Sequence, residues 1–201
     1  MNDHLDEETL QELTGTVRLL ARWMENGIRK ERKQREMIRI AKQDQLTKLY
    51  NRHTLTTDLY KKMHRTPSIT VTLVNLDDFK RINDQYGHMI GDEVLIEIAQ
   101  RLNEFVQHVG GQVYRFSDDE FMLVQTGSLS GVEQINEVIS QGIHASNGEV
   151  IHLTASVGVT LVQSTDTVDS VLQKADAAMY IAKSNGGDQW FQYDGYSDKG
   201  I

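Results

Sequence analysis

The chain has 201 residues, a formal net charge of −8 and no cysteine. At about 150 residues per domain this is one domain plus an appendage, and 39% apolar with 25% charged residues is an ordinary globular composition rather than a disordered or fibrous one. The missing thiol excludes disulfides, thiolate zinc centres and cysteine nucleophiles. No two histidines stand at the i, i+4 spacing of a zincin helix, so any metal must be held by oxygen.

No apolar run approaches the ~20 residues of a membrane span, and the start MNDHLDEETL is too acidic for a secretory signal; a cytoplasmic protein is expected. The charge is unevenly placed. Residues 1–43 hold nine Lys/Arg against eight Asp/Glu, and the remainder carries a net −9, which argues against nucleic acid as a partner.

In chain order, Leu10, Leu13, Val17, Leu20 and Met24 step by three and four, an apolar stripe of heptad character. It fades after Ile28, where seven of the fourteen residues from Arg29 to Lys42 are basic, and resumes at Ile38 and Ala41. Residues 5–43 are predicted to form a long stalk helix, with 1–43 as a dimerising segment and 44–201 as the domain. The basic band is read as a solvated helix face, with partner docking or membrane-surface contact as the functional alternatives.

Asn51 is placed to cap a helix running to about His64, and Pro67-Ser68 break the chain before a buried strand over 69–74. Helices are expected at 79–85 and 91–107. The strands 112–116 and 121–125 flank the acidic turn Ser117-Asp118-Asp119-Glu120. A helix at 131–145, a strand at 152–161, a helix at 168–184 and a strand at 189–193 complete the pattern. The implied fold class is α+β, an α/β sandwich with a mixed sheet flanked by helices.

Acidic residues gather at strand ends. Asn75-Leu76-Asp77-Asp78 closes the first strand and Asp118-Asp119-Glu120 forms the hairpin tip, so two adjacent strands would bring carboxylates over one spot. Such a cluster repels itself unless a cation is held there, and Mg²⁺ takes one or two carboxylates together with water and substrate phosphates. A hairpin tip taken alone is more readily a solvated turn.

These residues also carry a resemblance. Asp44-Gln45-Leu46-Thr47-Lys48-Leu49-Tyr50-Asn51-Arg52 resembles the D-x-L-T-G-L-x-N-R entry of GGDEF domains, and Asp77-Asp78-Phe79-Lys80-Arg81-Ile82-Asn83-Asp84 through Gly91-Asp92 resembles their D-x-F-K-x-I-N-D signature. Arg115 to Phe121 occupies the signature hairpin. Thr154 to Gly158 and Ala175 to Lys183 are similar to the T-x-S-x-G strand and the A-D-x-A-L-Y-x-A-K helix. The resemblance spans about residues 44–193 in order.

It implies the palm-like sheet of nucleotidyl cyclases and, in active members, condensation of two GTP into cyclic di-GMP by two facing domains, each with two Mg²⁺ (or Mn²⁺). Carried over residue by residue, Asn83 and Asp92 would read guanine, the Leu76–Lys80 backbone (Leu76, Asp77, Asp78, Phe79, Lys80) and Lys183 would hold phosphates, Asn75, Leu76 and Asp119 would face the metals, and Asp119 and Glu120 would be catalytic.

Four positions depart from the pattern. Asn75 stands where an Asp is usual, Ser117 and Asp118 replace Gly-Gly, and Gly187 replaces an Arg that pairs with Lys183. An amide for a carboxylate weakens a Mg²⁺ site, Asp118 repels a triphosphate, and a lone Lys does not reproduce a bidentate guanidinium. His108-Val109-Gly110-Gly111 lies where product-inhibited members carry R-x-x-D, so no inhibitory site is expected. The expected function is a degenerate regulatory module binding GTP, another guanine nucleotide or a protein partner. The alternative is an active diguanylate cyclase. A homodimer through Leu13, Val17, Leu20 and Met24 and a protein partner on the stalk complete the expectations.

Overall fold

The computed structural model describes residues 7–127 and 131–195 and divides into two units, 1–41 and 42–201. In the first, α1 (Glu7–Lys42) is one continuous helix of 36 residues, about 54 Å long at 1.5 Å per residue. Positions 5 and 6 of the expected stalk lie outside the described residues, as does the Leu10 side chain. Leu13, Val17, Leu20, Met24 and Ile28 are all at least half exposed along one stripe, with Leu19 and Trp23 exposed beside it. In the basic band, Arg35 pairs with Glu31 and Arg39 with Glu36 at helical spacing. No described helix is long and apolar enough to cross a membrane.

The second unit opens with β1 (Tyr50–Asn51) and α2 (Arg52–Met63), which Asn51 caps by accepting from the Thr54 N–H. Then follow β2 (Ile69–Leu76), α3 (Phe79–Tyr86), α4 (His88–Val109), β3 (Gly111–Arg115) and β4 (Glu120–Thr126). The chain ends with α5 (Val132–Ser140), the short β5 (Ile143–His144) and β6 (Val150–Ile151), β7 (Ala155–Leu161), α6 (Val168–Ser184) and β8 (Gln189–Gln192).

The main sheet runs β1-β3-β4-β2-β7-β8, antiparallel at its centre with the parallel pairs β1/β3 and β7/β8 at its edges. The α+β expectation holds.

Side-chain alternation in the central strands divides the core. Val74, Leu76, Phe121 and Leu123 pack with Ile98, Leu102 and Ile135 from α4 and α5. Val71, Leu73, Met122 and Val124 turn the other way, onto Leu55 and Leu59 of α2 and Val171, Ala175 and Met179 of α6. Every residue of β2 is buried, which accounts for the unbroken β-branched run that marks it in the sequence.

Three expectations are corrected. The helix at 131–145 stops at Ser140, and its remainder supplies β5, which pairs with β6 across a turn at Asn147-Gly148 with Gly148 at φ +86°. The strand at 152–161 begins only at Ala155, and the helix at 91–107 extends over 88–109. β1 is too short for its sequence to announce it.

α6 lies directly on β7 at Gly158, where a Cβ would overlap the Ala175 carbonyl oxygen and the Met179 backbone nitrogen. Since both obstacles are main chain, Gly158→Ala is expected to destabilise the domain by about 2–3 kcal/mol, read as a lowered urea midpoint with an unchanged m-value.

Candidate functional site

Strand register builds the site. β2 lies between β4 and β7, with Asn75 opposite Glu120 on one side and Ser156 on the other. The β3–β4 hairpin tip thereby stands beside the turn that leads from β2 into α3. The Leu76 N–H donates to the Asp119 carbonyl at 3.0 Å, and the Asp77 N–H to the Thr154 carbonyl at 2.9 Å. Of the five backbone positions 76–80, these two have their N–H groups committed. Phe79 and Lys80 begin α3 after Asp78, whose φ is +53°; the first N–H groups of a helix have no intrahelical acceptor and suit an anion.

A cavity of about 580 Å³ opens beside this turn, lined by Phe79, Asn83 and Asp92 on one side and by Arg52, Phe116, Ser117 and Asp118 on the other. Asn83 and Asp92, the expected guanine readers, therefore share one cavity. Asn83 lies hard against α4: a Cβ at Gly91 would overlap its Oδ1. Gly91 is thus what lets the amide lie beside Asp92.

Arg115 organises the hairpin from below. It is buried; its Nε donates to the Ser117 carbonyl at 2.6 Å, its Nη2 donates to the Asp118 carbonyl, and its guanidinium lies 4.7 Å from the Phe121 ring centroid. Among the described residues Nη1 has no partner. Burial pulls this guanidinium below its ordinary pKa, against the fields of Asp44, Asp118, Asp119 and Asp92. Arg52 stacks 4.5 Å over Phe116 at the cavity wall. The sequence singles out neither arginine, although each lies inside one of the motifs that resemble the family.

Asn75, one of the expected metal-facing residues, and Glu120, one of the expected catalytic pair, join Lys183 and Ser117 in a hydrogen-bonded line. Lys183 Nζ donates to Asn75 Oδ1 at 2.8 Å and Asn75 Nδ2 to Glu120 Oε1 at 3.3 Å, while Ser117 Oγ donates to Glu120 Oε2 at 2.6 Å. Asp119 lies alongside, half-buried. Burial first, and then the Glu120 charge, push its pKa above the usual carboxylate value, opposed mainly by Lys183.

Asp77 belongs to a different cluster, accepting from Thr154 Oγ1 at 2.7 Å, Ser156 Oγ at 2.6 Å and the Asp188 N–H at 3.0 Å. Its side chain holds the α6–β8 loop to β2. Gly187 sits in that loop at φ +72°, and a Cβ there would lie 2.8 Å from Asp77 Oδ2. A side chain at 187 meets both left-handed strain and this carboxylate.

The profile described as diguanylate cyclase, GGDEF domain, matches residues 41–189. The chain belongs to the GGDEF family. Among its relatives, diguanylate cyclase DosC of Shigella sonnei is 35% identical over 153 residues, covering 71% of this chain and 33% of DosC. The response regulator PleD of Caulobacter vibrioides is 33% identical over 161 residues, covering 74% of this chain and 35% of PleD. This GGDEF chain thus spans about a third of these relatives' length.

Among solved structures, the coiled coil and GGDEF domain of DgcB from Caulobacter crescentus, in complex with c-di-GMP, superposes with a TM-score of 0.76 at 25% identity, covering 87% of this chain and 98% of that one. SiaD of Pseudomonas aeruginosa, in complex with its activator SiaC, gives 0.70 at 27%, covering 92% and 77%.

Because its pKa is raised in the folded state, Asp119 binds protons more tightly there than in the unfolded chain. Between the unfolded value and the raised one, stability is expected to fall as pH rises. Asp119→Asn should remove that part of the slope and raise the thermal midpoint at neutral pH. In the cavity, Gly91→Ala is expected to force the Asn83 side chain to move and to lower the thermal midpoint, as over-packing does, with the far-ultraviolet spectrum unchanged.

Proposed function

We propose that this GGDEF domain is a degenerate regulatory module: it binds GTP or another guanine nucleotide, or a protein partner, with little or no cyclase activity. The observation that carries the reading is Asn75, an amide where the metal-holding carboxylate is usual, engaged at once by Lys183 and Glu120. With the Asn75 oxygen and both Glu120 oxygens hydrogen-bonded, a Mg²⁺ (or Mn²⁺) ion meets a weakened site in which Leu76 and Asp119 supply the remaining oxygens.

In this reading the nucleotide's base lies in the 580 Å³ cavity. Asn83 and Asp92 offer an amide and a carboxylate to the purine edge, so the carboxylate accepts from the guanine N1–H and N2–H₂ donors and the amide serves the remaining groups. The phosphates run towards the α3 start, Lys80 and Lys183, with Asp77 and Asp78 in the same turn. Asp118 at the cavity edge opposes their charge, and Gly187 contributes no cation.

α1 is read as a homodimer seam through Leu13, Val17, Leu20 and Met24, with its basic band open to a protein partner and the whole in the cytoplasm. SiaD, whose structure includes its activator SiaC, is an instance of a fold relative with a protein partner.

A second reading, an active diguanylate cyclase, is favoured by a specific observation: Asp119, Glu120 and Lys183 stay together around Asn75, and relatives 34–35% identical are diguanylate cyclases by name. Two cations at such a spot would supply charge for in-line attack of a 3′-hydroxyl on an α-phosphate.

Incubation of the chain with GTP and Mg²⁺ or Mn²⁺ separates the two. The first reading expects less than one cyclic di-GMP per chain; sustained multiple turnover establishes the second. Sedimentation at tens of micromolar is expected to show a dimer, and Leu20→Glu a monomer; a monomeric wild type would contradict the seam.

A further inference from the structure

The line Lys183–Asn75–Glu120–Ser117 has a property that its members lack singly. Each of the two donors on Glu120 comes from a position where the chain departs from its family's pattern. A carboxylate at 75 would have no N–H to give Glu120 Oε1, and a glycine at 117 would have no hydroxyl to give Oε2. The two departures therefore complement each other around one carboxylate, and the third member, Lys183, brings a positive charge to the free face of the Asn75 amide at 2.8 Å. Asn75 is buried, so its amide is not exchanging these partners freely with water, and an unpaired carbonyl or amide there would carry a desolvation cost.

A hard divalent cation needs anionic oxygens with free lone pairs aimed at it. Here the oxygen at 75 is aimed at an ammonium, and the Glu120 carboxylate holds a donor on each oxygen. Asp119, with its pKa raised by burial and by Glu120 and lowered by Lys183, already relies on that ammonium for compensation.

We propose that the Lys183 ammonium has taken over the role of the divalent cation, so that this chain binds its guanine nucleotide without Mg²⁺. The inference rests on the nucleotide-binding reading above and deepens it. One Lys183 proton is engaged by Asn75; the two others are available for phosphate oxygens. The ligand is accordingly a metal-free guanosine di- or triphosphate, its phosphates held by Lys183, Lys80 and the N–H groups at the start of α3.

The test is calorimetric titration of the full chain with the non-hydrolysable analogue α,β-methylene-GTP, once in EDTA and once in millimolar MgCl₂, beside a titration with MnCl₂ alone followed by electron paramagnetic resonance. For the wild type the two dissociation constants should agree within about twofold, with no saturable Mn²⁺ site. Asn75→Asp with Ser117→Gly should create one, and Mg²⁺ should then tighten analogue binding about tenfold or more, as expected for a restored carboxylate ligand. Lys183→Met should weaken binding in EDTA about tenfold, the loss of a charge-assisted contact; an unchanged thermal midpoint shows that the variant is folded.

Wild-type binding strengthened tenfold by Mg²⁺, or saturable Mn²⁺ binding by the wild type, overturns the inference and leaves the nucleotide reading standing. Absence of analogue binding in both buffers overturns the nucleotide reading, and the inference falls with it. Both wild-type arms are independent of whether any variant folds.

Discussion

The antiparallel pairing of β2 with β4 is the constraint on which the rest of the molecule depends. Its ladder sets Asn75 opposite Glu120, and the same strand's other edge sets Asn75 opposite Ser156. A slip of one residue would turn Val74 and Leu76 out of one core and Val71 and Leu73 out of the other. Because β2 is buried along its whole length, that register is held by apolar packing on both faces. The polar ends of the strands are thus brought to one place by a core that contains none of the site's chemistry.

Charge at that place is balanced by side chains of the domain itself. Asp119 and Glu120 are adjacent carboxylates, and burial makes the ionisation of Asp119 costlier. Lys183 reaches them from α6 through Asn75, while Arg115 lies beneath the same hairpin and donates to two of its carbonyls. Two cations from two different elements therefore hold an acidic tip that its own charges would otherwise open. Asp77 plays a separate part, tying β2, β7 and the α6–β8 loop together through Thr154, Ser156 and Asp188. Although it stands in the D-x-F-K signature, its carboxylate is fully engaged in joining secondary structure.

Much of this is legible in the sequence. The periodicities of α1, α2, α6 and the central strands match the elements observed, since each is long or strongly patterned. The segment 141–145 departs from the expected helix because its apolar spacing continues that of α5 while Gly142 and Asn147-Gly148 turn the chain; pattern and turn chemistry compete, and the turn wins. The gathering of Asn75, Asp119 and Glu120 followed from two strand ends judged adjacent. Arg115 and Arg52 were not legible as site residues, because an arginine beside a strand end is ordinarily a solvated one, and only packing shows a guanidinium buried under a hairpin.

The sequence by itself determined the family, the helix and strand content and the residue types available to the site, because motif spacing and hydrophobic period are properties of the chain. It also showed which positions depart from the family's pattern. Only the tertiary structure decided that the departures meet: that Asn75 and Ser117 donate to opposite oxygens of one carboxylate, that Lys183 faces the other side of the same amide, and that Gly187 is pressed against Asp77. Positions 75, 117, 120 and 183 lie on different elements up to 108 residues apart. Hydrogen bonds of about 3 Å between them are set by strand register and helix docking, which no local pattern encodes.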